Sequence, residues 1–199
     1  ALTPYVPGEQ PVNSGLVKLN TNENPYAPSP KVLKAVRSHA DETLRLYPDP
    51  EMKALKEAIA AYYGLASSQV FVGNGSDEVL ALCTRAFVEN DGAVGYFDPS
   101  YSIYPVLADI RAVRKVPTRL GCDFEWVAPI SEGVSLFFLT NPNAPTGLQY
   151  SKATVQSFCA GFEGVVVIDE AYVDFADGDC VSLTRDFDNV ILLRSLSKG

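Results

Sequence analysis

Five short apolar runs recur along the chain, and a polar or glycine-rich segment follows each of them directly. The runs cover residues 70–72, 93–97, 135–139, 165–168 and 190–193. Strands that are apolar at successive positions are typical of parallel sheets, because helices cover both faces of such sheets. The pattern therefore predicts an α/β fold built around a mostly parallel sheet.

Patterns typical of helices separate these runs. Ser29-Pro30 has the form of an N-cap followed by a proline in the first turn. Asp49-Pro50 repeats that signal before an amphipathic stretch that ends at Gly64. Further helices are expected from Ser76 onward and over residues 151–160. The alternation of strands and helices supports the α/β prediction.

The composition argues against several classes of protein. Of the 199 residues, 47% are hydrophobic and 20% are charged, which suits a large folded core and not a disordered chain. A net charge of -8 without a basic cluster argues against nucleic-acid binding. No apolar run has the length of a membrane helix and no signal peptide opens the sequence, so we expect a cytoplasmic protein with no membrane partner. The four cysteines and His39 are too widely spaced for a zinc site, so we expect no metal.

The polar segments after the runs are candidate ligand sites, because parallel strands present their carboxyl ends at one edge of a sheet. The segment Gly73-Asn74-Gly75-Ser76-Asp77 could offer backbone N–H groups to an anion, or could be a tight turn with a helix cap. Asp169 follows four β-branched residues and is either a site carboxylate or a structural ion-pair partner. Lys198 is either a solvated surface lysine or, in a desolvated pocket beside Asp169, an amine nucleophile.

These candidates together supply what pyridoxal phosphate needs from a protein. The glycine-rich segment offers a phosphate cradle, Tyr101 an aromatic face, Asp169 a partner for the pyridine nitrogen, and Lys198 an amine for a Schiff base. The glycine spacing matches neither a P-loop nor a dinucleotide fingerprint, which disfavours nucleotide ligands.

Short motifs along the whole chain resemble those of the fold-type-I pyridoxal-phosphate-dependent aminotransferases of the class I/II superfamily, and are most similar to its histidinol-phosphate branch. They lie at residues 2–5, 19–25, 45–49, 73–78, 142–147, 169–172 and 195–198. The resemblance implies an N-terminal arm over residues 1–30 and a three-layer α/β/α large domain over residues 31–199. Because members of this superfamily continue into a C-terminal small domain, we expect this sequence to be part of a longer polypeptide or to end at a disordered loop.

The resemblance also implies a role for each site residue. Lys198 is the catalytic Schiff-base lysine, Asp169 pairs with the pyridine nitrogen, and Tyr172 donates to the phenolic oxygen of the cofactor. Tyr101 stacks on the cofactor ring. The residues expected around the phosphate are Gly75, Ser76, Asp77, Ser195 and Ser197. Tyr5, Asn22 and Asn24 of the arm are expected to face the substrate. Tyr47 is expected to act across a homodimer, where it reaches the cofactor phosphate of the neighbouring subunit.

One position departs from the pattern of the superfamily. Its members usually carry an asparagine directly before Pro-Thr-Gly, where this chain has Ala144. We expect either Asn143 to replace that asparagine as a cofactor ligand or Tyr172 to act alone.

The implied activity is amino-group transfer between L-histidinol phosphate and 2-oxoglutarate in histidine biosynthesis. Two alternatives share the same cofactor motifs: decarboxylation of a phosphorylated amino acid, and transamination of aromatic amino acids. A pyridoxal-phosphate-binding domain of a transcription regulator is a further alternative, although the sequence has no DNA-binding pattern.

Overall fold

The sheet of this protein is parallel throughout the residues that the structure describes. The structure is a computed structural model, and it describes residues 9, 15–127, 130 and 132–199. Five strands run in the spatial order β2-β1-β3-β4-β5, and every neighbouring pair is parallel. The strands are β1 (Ala93–Asp98), β2 (Arg114–Arg119), β3 (Leu136–Thr140), β4 (Val165–Asp169) and β5 (Val190–Leu193).

Six α-helices accompany the strands in the described part of the chain. They are α1 (Pro30–Ser38), α2 (Lys53–Tyr63), α3 (Ser76–Phe87), α4 (Ile103–Arg111), α5 (Lys152–Gly161) and α6 (Leu183–Asp186). Single 3-10 turns lie at Glu42–Arg45, Ser67–Gln69 and Val173–Phe175. The predicted caps are confirmed at Ser29, which accepts from the Val32 amide, and at Gly64, whose φ of 65° ends α2. Within the described ranges, no helix combines the length and the apolar character that crossing a bilayer requires.

Both faces of the sheet are covered, which confirms the predicted three-layer architecture. On one face, Val94, Leu136 and Phe138 pack in a buried cluster with Leu80 of α3 and Leu107 of α4. On the other face, residues at alternate positions pack against α5 and α6. They are Phe97, Phe137, Leu139, Val166 and Ile168. Side chains of successive strand residues point to opposite faces, so strands buried on both faces need an apolar residue at nearly every position.

The structure corrects the prediction at two strands. Residues 70–72 form no strand, and Phe71 is largely exposed. The missed strand is β2, which among the described strands pairs with β1 alone and contains Pro117 and several charged residues. Charged residues and proline are typical of an edge strand and hide it from a search for apolar runs.

Two compact units divide the described residues. One comprises the residues up to Asn22 together with Asn74–Gly199 and contains the whole sheet. The other comprises Glu23–Gly73 and contains α1 and α2. This division differs from the arm and large domain expected from the resemblance, whose boundary at residue 30 falls inside the second unit.

Candidate active site

A cavity of about 470 Å³ lies in the unit that contains the sheet, and six of the predicted site residues line it. Its lining includes Thr21, Asn22, Ser76, Ser100, Tyr101, Thr140, Asp169, Tyr172 and Lys198. A smaller cavity of about 250 Å³ has a lining that includes Gly75, Asp77, Ser195 and Ser197. Ser76, Tyr101 and Lys198 line both cavities, so the two adjoin. The carboxyl ends of β3, β4 and β5 supply or lead into much of this lining, as expected for a parallel sheet.

Asp169 ends β4 and supplies a buried carboxyl group to the larger cavity. Its side chain is only 2% exposed. One carboxyl oxygen accepts from the Ala171 amide at 3.1 Å, and the other contacts the Tyr104 hydroxyl at 2.8 Å. Burial raises the pKa of Asp169 above its ordinary value, although the hydrogen bonds from Tyr104 and Ala171 lower it. The site therefore contains a carboxyl group that resists ionisation unless a partner arrives.

The N-terminus of α3 forms one wall of the smaller cavity. Gly75 precedes the helix with a φ of 83°, a conformation that favours glycine. The first amides of a helix have no partner within it, and they favour anions. Ser195 and Ser197 face the same cavity and are hydrogen-bonded to each other at 2.7 Å. Hydroxyl groups and helix amides together make this cavity suitable for a phosphate group.

Two carboxylates of α3 lie close to that helix start. Asp77 lines the smaller cavity, where its carboxylate accepts a hydrogen bond from the Tyr101 hydroxyl at 3.1 Å. Glu78 accepts from the backbone amide of Asn74. These bonds occupy the two carboxylates with protein donors.

Lys198 and Tyr172 contact the same short segment of the N-terminal region. The Lys198 amine donates to the Thr21 carbonyl at 3.0 Å, and the Asn22 side-chain amide donates to the Tyr172 hydroxyl at 3.0 Å. Thr21 and Asn22 both have left-handed backbone conformations, with φ values of 62° and 51°. Such conformations are unfavourable for threonine, and strain of this kind is often found at functional sites. The segment thus meets the two side chains expected to hold the reacting end of a ligand.

Glu170 and Arg194 form an ion pair between the ends of β4 and β5 that the sequence analysis missed. The Arg194 guanidinium donates twice to one Glu170 oxygen, at 2.8 and 3.0 Å, and contacts Asp179 at 3.0 Å. The other Glu170 oxygen accepts from the Cys180 amide at 2.7 Å. Burial raises the pKa of Glu170, and the Arg194 charge opposes that rise. The pair fixes the start of the segment that carries Lys198.

Asn143 is not brought to the cavity. It is fully buried, and its amide nitrogen donates to the Pro99 carbonyl at 3.0 Å and to the Thr146 hydroxyl at 3.1 Å. Its amide oxygen accepts from Ser100 at 2.7 Å. Both groups of this side chain are already engaged within the protein. The structure therefore does not support the expectation that Asn143 replaces the asparagine missing at Ala144, whereas Ala144 itself lines the cavity.

Two further predicted residues belong to the other unit, and a third is not among the described residues. Tyr47 and Asn24 belong to the unit that does not contain the cavity, and Tyr47 is completely exposed. Tyr5 lies outside the described residues. The roles of these three residues stay predictions.

Comparison with known proteins identifies the family. Residues 14–199 match the model of the aminotransferase class I and II family. The chain belongs to this family. Over its full length it is 47% identical to a histidinol-phosphate aminotransferase of Pseudomonas putida (strain W619) and 44% identical to one of Clostridium botulinum (strain Okra / Type B1). The chain spans 58% and 56% of the length of these two aminotransferases.

Solved aminotransferase structures share the fold. The histidinol-phosphate aminotransferase of Sinorhizobium meliloti, solved in complex with pyridoxal-5'-phosphate, superimposes with a TM-score of 0.79 at 28% identity. The superposition covers 89% of this chain and 51% of that one. The α/β fold predicted from the sequence is therefore that of the aminotransferase family.

Proposed function

We propose that this chain is part of a pyridoxal-phosphate-dependent enzyme that transfers an amino group between L-histidinol phosphate and 2-oxoglutarate. The observation that carries the proposal is that Lys198 and Asp169 line one cavity, and that Lys198 also lines the adjoining one with its phosphate-suited wall. Relatives that are 44–47% identical and bear the name histidinol-phosphate aminotransferase support the choice of substrate.

The residues present fit this cofactor. Pyridoxal phosphate needs an acidic group at the ring nitrogen, anion donors at the phosphate and an amine at the aldehyde carbon. Asp169 supplies a buried carboxyl group with few competing partners, and the smaller cavity supplies helix amides and two serine hydroxyls. Lys198 lines both cavities, so one ligand that fills both would meet its amine.

Each side chain then has a distinct task in the proposed reaction. The bound cofactor would supply an electron sink for the bonds to the α-carbon of the amino donor. Lys198 would hold the cofactor and later carry the proton from that α-carbon to the cofactor carbon that the lysine had held. Asp169 would keep the ring nitrogen protonated, and Tyr172 would donate to the phenolic oxygen. Tyr101 would face the ring, where aromatic groups pack favourably.

The proposal extends to the whole molecule. We expect a cytoplasmic homodimer in which Tyr47 of one subunit reaches the cofactor phosphate of the other. Tyr47 suits that role, because its side chain is completely exposed and so is open to a partner subunit. Tyr5, Asn22 and Asn24 would contact the substrate.

The proposal is tested with the full-length protein reconstituted with pyridoxal phosphate. We expect turnover of histidinol phosphate with 2-oxoglutarate, and borohydride reduction should fix the cofactor on Lys198. Lys198→Ala should abolish both results, whereas Lys53→Ala, at an exposed position of α2, should leave both unchanged. Peptide mapping and an assay of product formation give the two measurements.

The possible failures of this test differ. A label on another lysine would contradict the assigned site. Correct labelling with a preference for phenylalanine or tyrosine would contradict the substrate and leave the cofactor assignment standing.

A further inference from the structure

Five polar side chains form a line of hydrogen bonds that begins at the cavity and ends inside the protein. Asp169 contacts the Tyr104 hydroxyl at 2.8 Å, and that hydroxyl contacts Thr140 at 2.6 Å. Thr140 contacts Ser100 at 3.1 Å, and Ser100 contacts the Asn143 amide oxygen at 2.7 Å. All are buried except the half-buried Ser100.

The orientation of Asn143 fixes the direction of the last bond. Its nitrogen must face the Pro99 carbonyl, because a carbonyl can only accept, and the two groups are 3.0 Å apart. The oxygen of Asn143 therefore faces Ser100 and must accept. The single proton of the Ser100 hydroxyl is committed to this bond.

Counting protons along the line shows that one is missing if Asp169 is ionised. There are four contacts, and Tyr104, Thr140 and Ser100 supply one proton each. If Ser100 donates to Asn143 and Tyr104 donates to an ionised Asp169, Thr140 has one proton for two contacts. A proton on Asp169 satisfies all four contacts, because each group then donates to the next one along the line.

We propose that Asp169 carries a proton in the cofactor-free protein, and that Tyr104, Thr140 and Ser100 form a hydroxyl relay whose donors reverse when this carboxyl group ionises. The exclusion of water from Asp169 supports the proposal, since a buried polar group without a partner is costly. In the reversed state Tyr104 donates to Asp169 and Thr140 donates to Tyr104. No proton then lies between Thr140 and Ser100, so this contact is the hydrogen bond that is lost.

The other titratable groups around the cavity act on Asp169 as charges. Asp77 of α3 disfavours a second negative charge and so acts in the same direction as the relay. Lys198 lines the same cavity and favours the ionised form, while its amine donates to the Thr21 carbonyl. The hydroxyl of Tyr101 contacts Asp77, and the hydroxyl of Tyr172 contacts Asn22.

The relay gives Tyr104 and Ser100 positioning roles, and this consequence rests on the proposed function. When a basic ring nitrogen docks on Asp169, the O–H bond of the acid breaks, an N–H bond forms on the ring, and the carboxylate remains. Tyr104 then turns its proton toward the new charge. The protein thus loses one internal hydrogen bond and gains one charge-assisted bond.

Two substitutions are expected to move the titration of Asp169 in opposite directions. Tyr104→Phe removes the donor of the charge-assisted bond, so the pKa of Asp169 should rise. In Ser100→Ala, Thr140 has no hydrogen bond to Ser100 that it must give up. It can therefore donate to Tyr104 when Asp169 is ionised without losing a bond, and the pKa of Asp169 should fall. Two independent hydrogen bonds to the carboxylate would give shifts in the same direction. Opposite shifts would thus mean that Thr140 and Ser100 influence the pKa of Asp169 through Tyr104 and not by direct contact.

The test is an infrared titration of the full-length, cofactor-free protein. The C=O band of the protonated acid is assigned by its loss in Asp169→Asn, and its intensity is followed against pH in each variant. Tyr150→Phe is the matched control, because this buried tyrosine donates to the Phe124 carbonyl away from the relay. If Ser100→Ala fails to fold, Thr140→Val serves as a second relay variant, because it also interrupts the line of hydrogen bonds between Tyr104 and Ser100.

Each outcome decides the proposal without reference to the cofactor. The relay is supported if the C=O band of protonated Asp169 is present at neutral pH and the midpoint of its titration rises in Tyr104→Phe and falls in Ser100→Ala. An ionised Asp169 at neutral pH, or shifts of one sign in both variants, overturns it. Binding of pyridoxal phosphate is measured separately, where Tyr104→Phe should weaken affinity about tenfold. Failure to bind at all would count against the proposed function and not against the relay.

Discussion

At the scale of single residues, Asp169 shows how a site group can work against the stability of its own fold. The carboxyl group is nearly inaccessible to water, and the charge of a second carboxylate, Asp77, disfavours its ionisation. Ionisation without a ligand therefore has a cost that a ligand with a positive charge would remove.

We expect Asp169→Asn to be more stable than the wild type at neutral pH. Burial raises the pKa of Asp169, so the folded protein holds this proton more tightly than the unfolded chain. The stability contributed by the proton is present below about pH 4 and is lost as the pH rises through the raised pKa of the folded state. Denaturation of the cofactor-free protein across this range should show a gap on the order of 1 kcal/mol or more that opens with rising pH.

The same substitution should lower turnover about a hundredfold or more, because an asparagine cannot hold the ring nitrogen protonated. Asp98→Asn is the control, since this aspartate is exposed at the end of β1. Equal pH dependence of stability in the wild type and Asp169→Asn would show that the carboxyl group is not titrating abnormally.

At the scale of secondary structure, the elements that could be predicted are those with one dominant signal. The β-branched run before Asp169 predicted β4, and the proline and glycine signals predicted α1 and the end of α2. The edge strand β2 could not be predicted, because its charged residues face solvent and its own sequence contains no signal of the pairing with β1. Residues 70–72 have the apolar pattern of a strand, but the sheet of the described residues offers them no partner.

The candidate site follows the same rule. Asp169 and Ser76 lie at the ends of β4 and α3, and Lys198 lies on the segment that follows β5, so the order of the elements was enough to predict that they meet. Tyr104 is part of an ordinary helix, and only the three-dimensional structure shows that its hydroxyl reaches Asp169.

Gly95 in β1 tests how tightly the strands and their side chains pack. A Cβ atom at this position would lie 2.5 Å from the Phe137 ring of β3 and 2.9 Å from Val134. Because both neighbours are buried, Gly95→Ala should destabilise the protein by about 1–3 kcal/mol. Chemical denaturation measures this loss.

Gly161→Ala provides the comparison for that substitution. Apart from the adjoining residues and the backbone of its own helix, no described atom lies within 4 Å of the added Cβ, and the residue ends α5. This variant should be neutral or slightly stabilised, since alanine favours helices. A similar loss in both variants would mean that the effect of Gly95→Ala does not come from contact with Phe137.

At the scale of the whole molecule, the proposed dimer predicts that inactive subunits can repair each other. In a hybrid of Tyr47→Phe and Lys198→Ala subunits, one site would combine an intact Lys198 with an intact Tyr47 from its partner. Random mixing should give hybrids in about half of the dimers, and so roughly a quarter of the wild-type activity at limiting cofactor.

A rearranged mixture is the control for this experiment. When both substitutions are placed in the same subunit and mixed with wild type, no hybrid contains a fully intact site. If the site is shared, both mixtures should reach about a quarter of the wild-type activity, because about a quarter of the dimers in the rearranged mixture are wild type. No activity in the first mixture and about half of the wild-type activity in the rearranged one would contradict a shared site, and sedimentation of each mixture confirms that it contains dimers.

The cavity that Lys198 and Thr21 both line can form only after both residues have been synthesised. The two residues are 177 positions apart in the chain, and every neighbouring pair of strands is joined by a crossover connection. Contacts between such distant residues close large loops and form slowly. A ribosome makes the chain from its N-terminus at about 5–20 residues per second, so Thr21 waits several seconds or longer for its partner. During that interval the apolar strands already made lack their final neighbour, and unpaired strand edges of this kind favour aggregation until β5 has emerged.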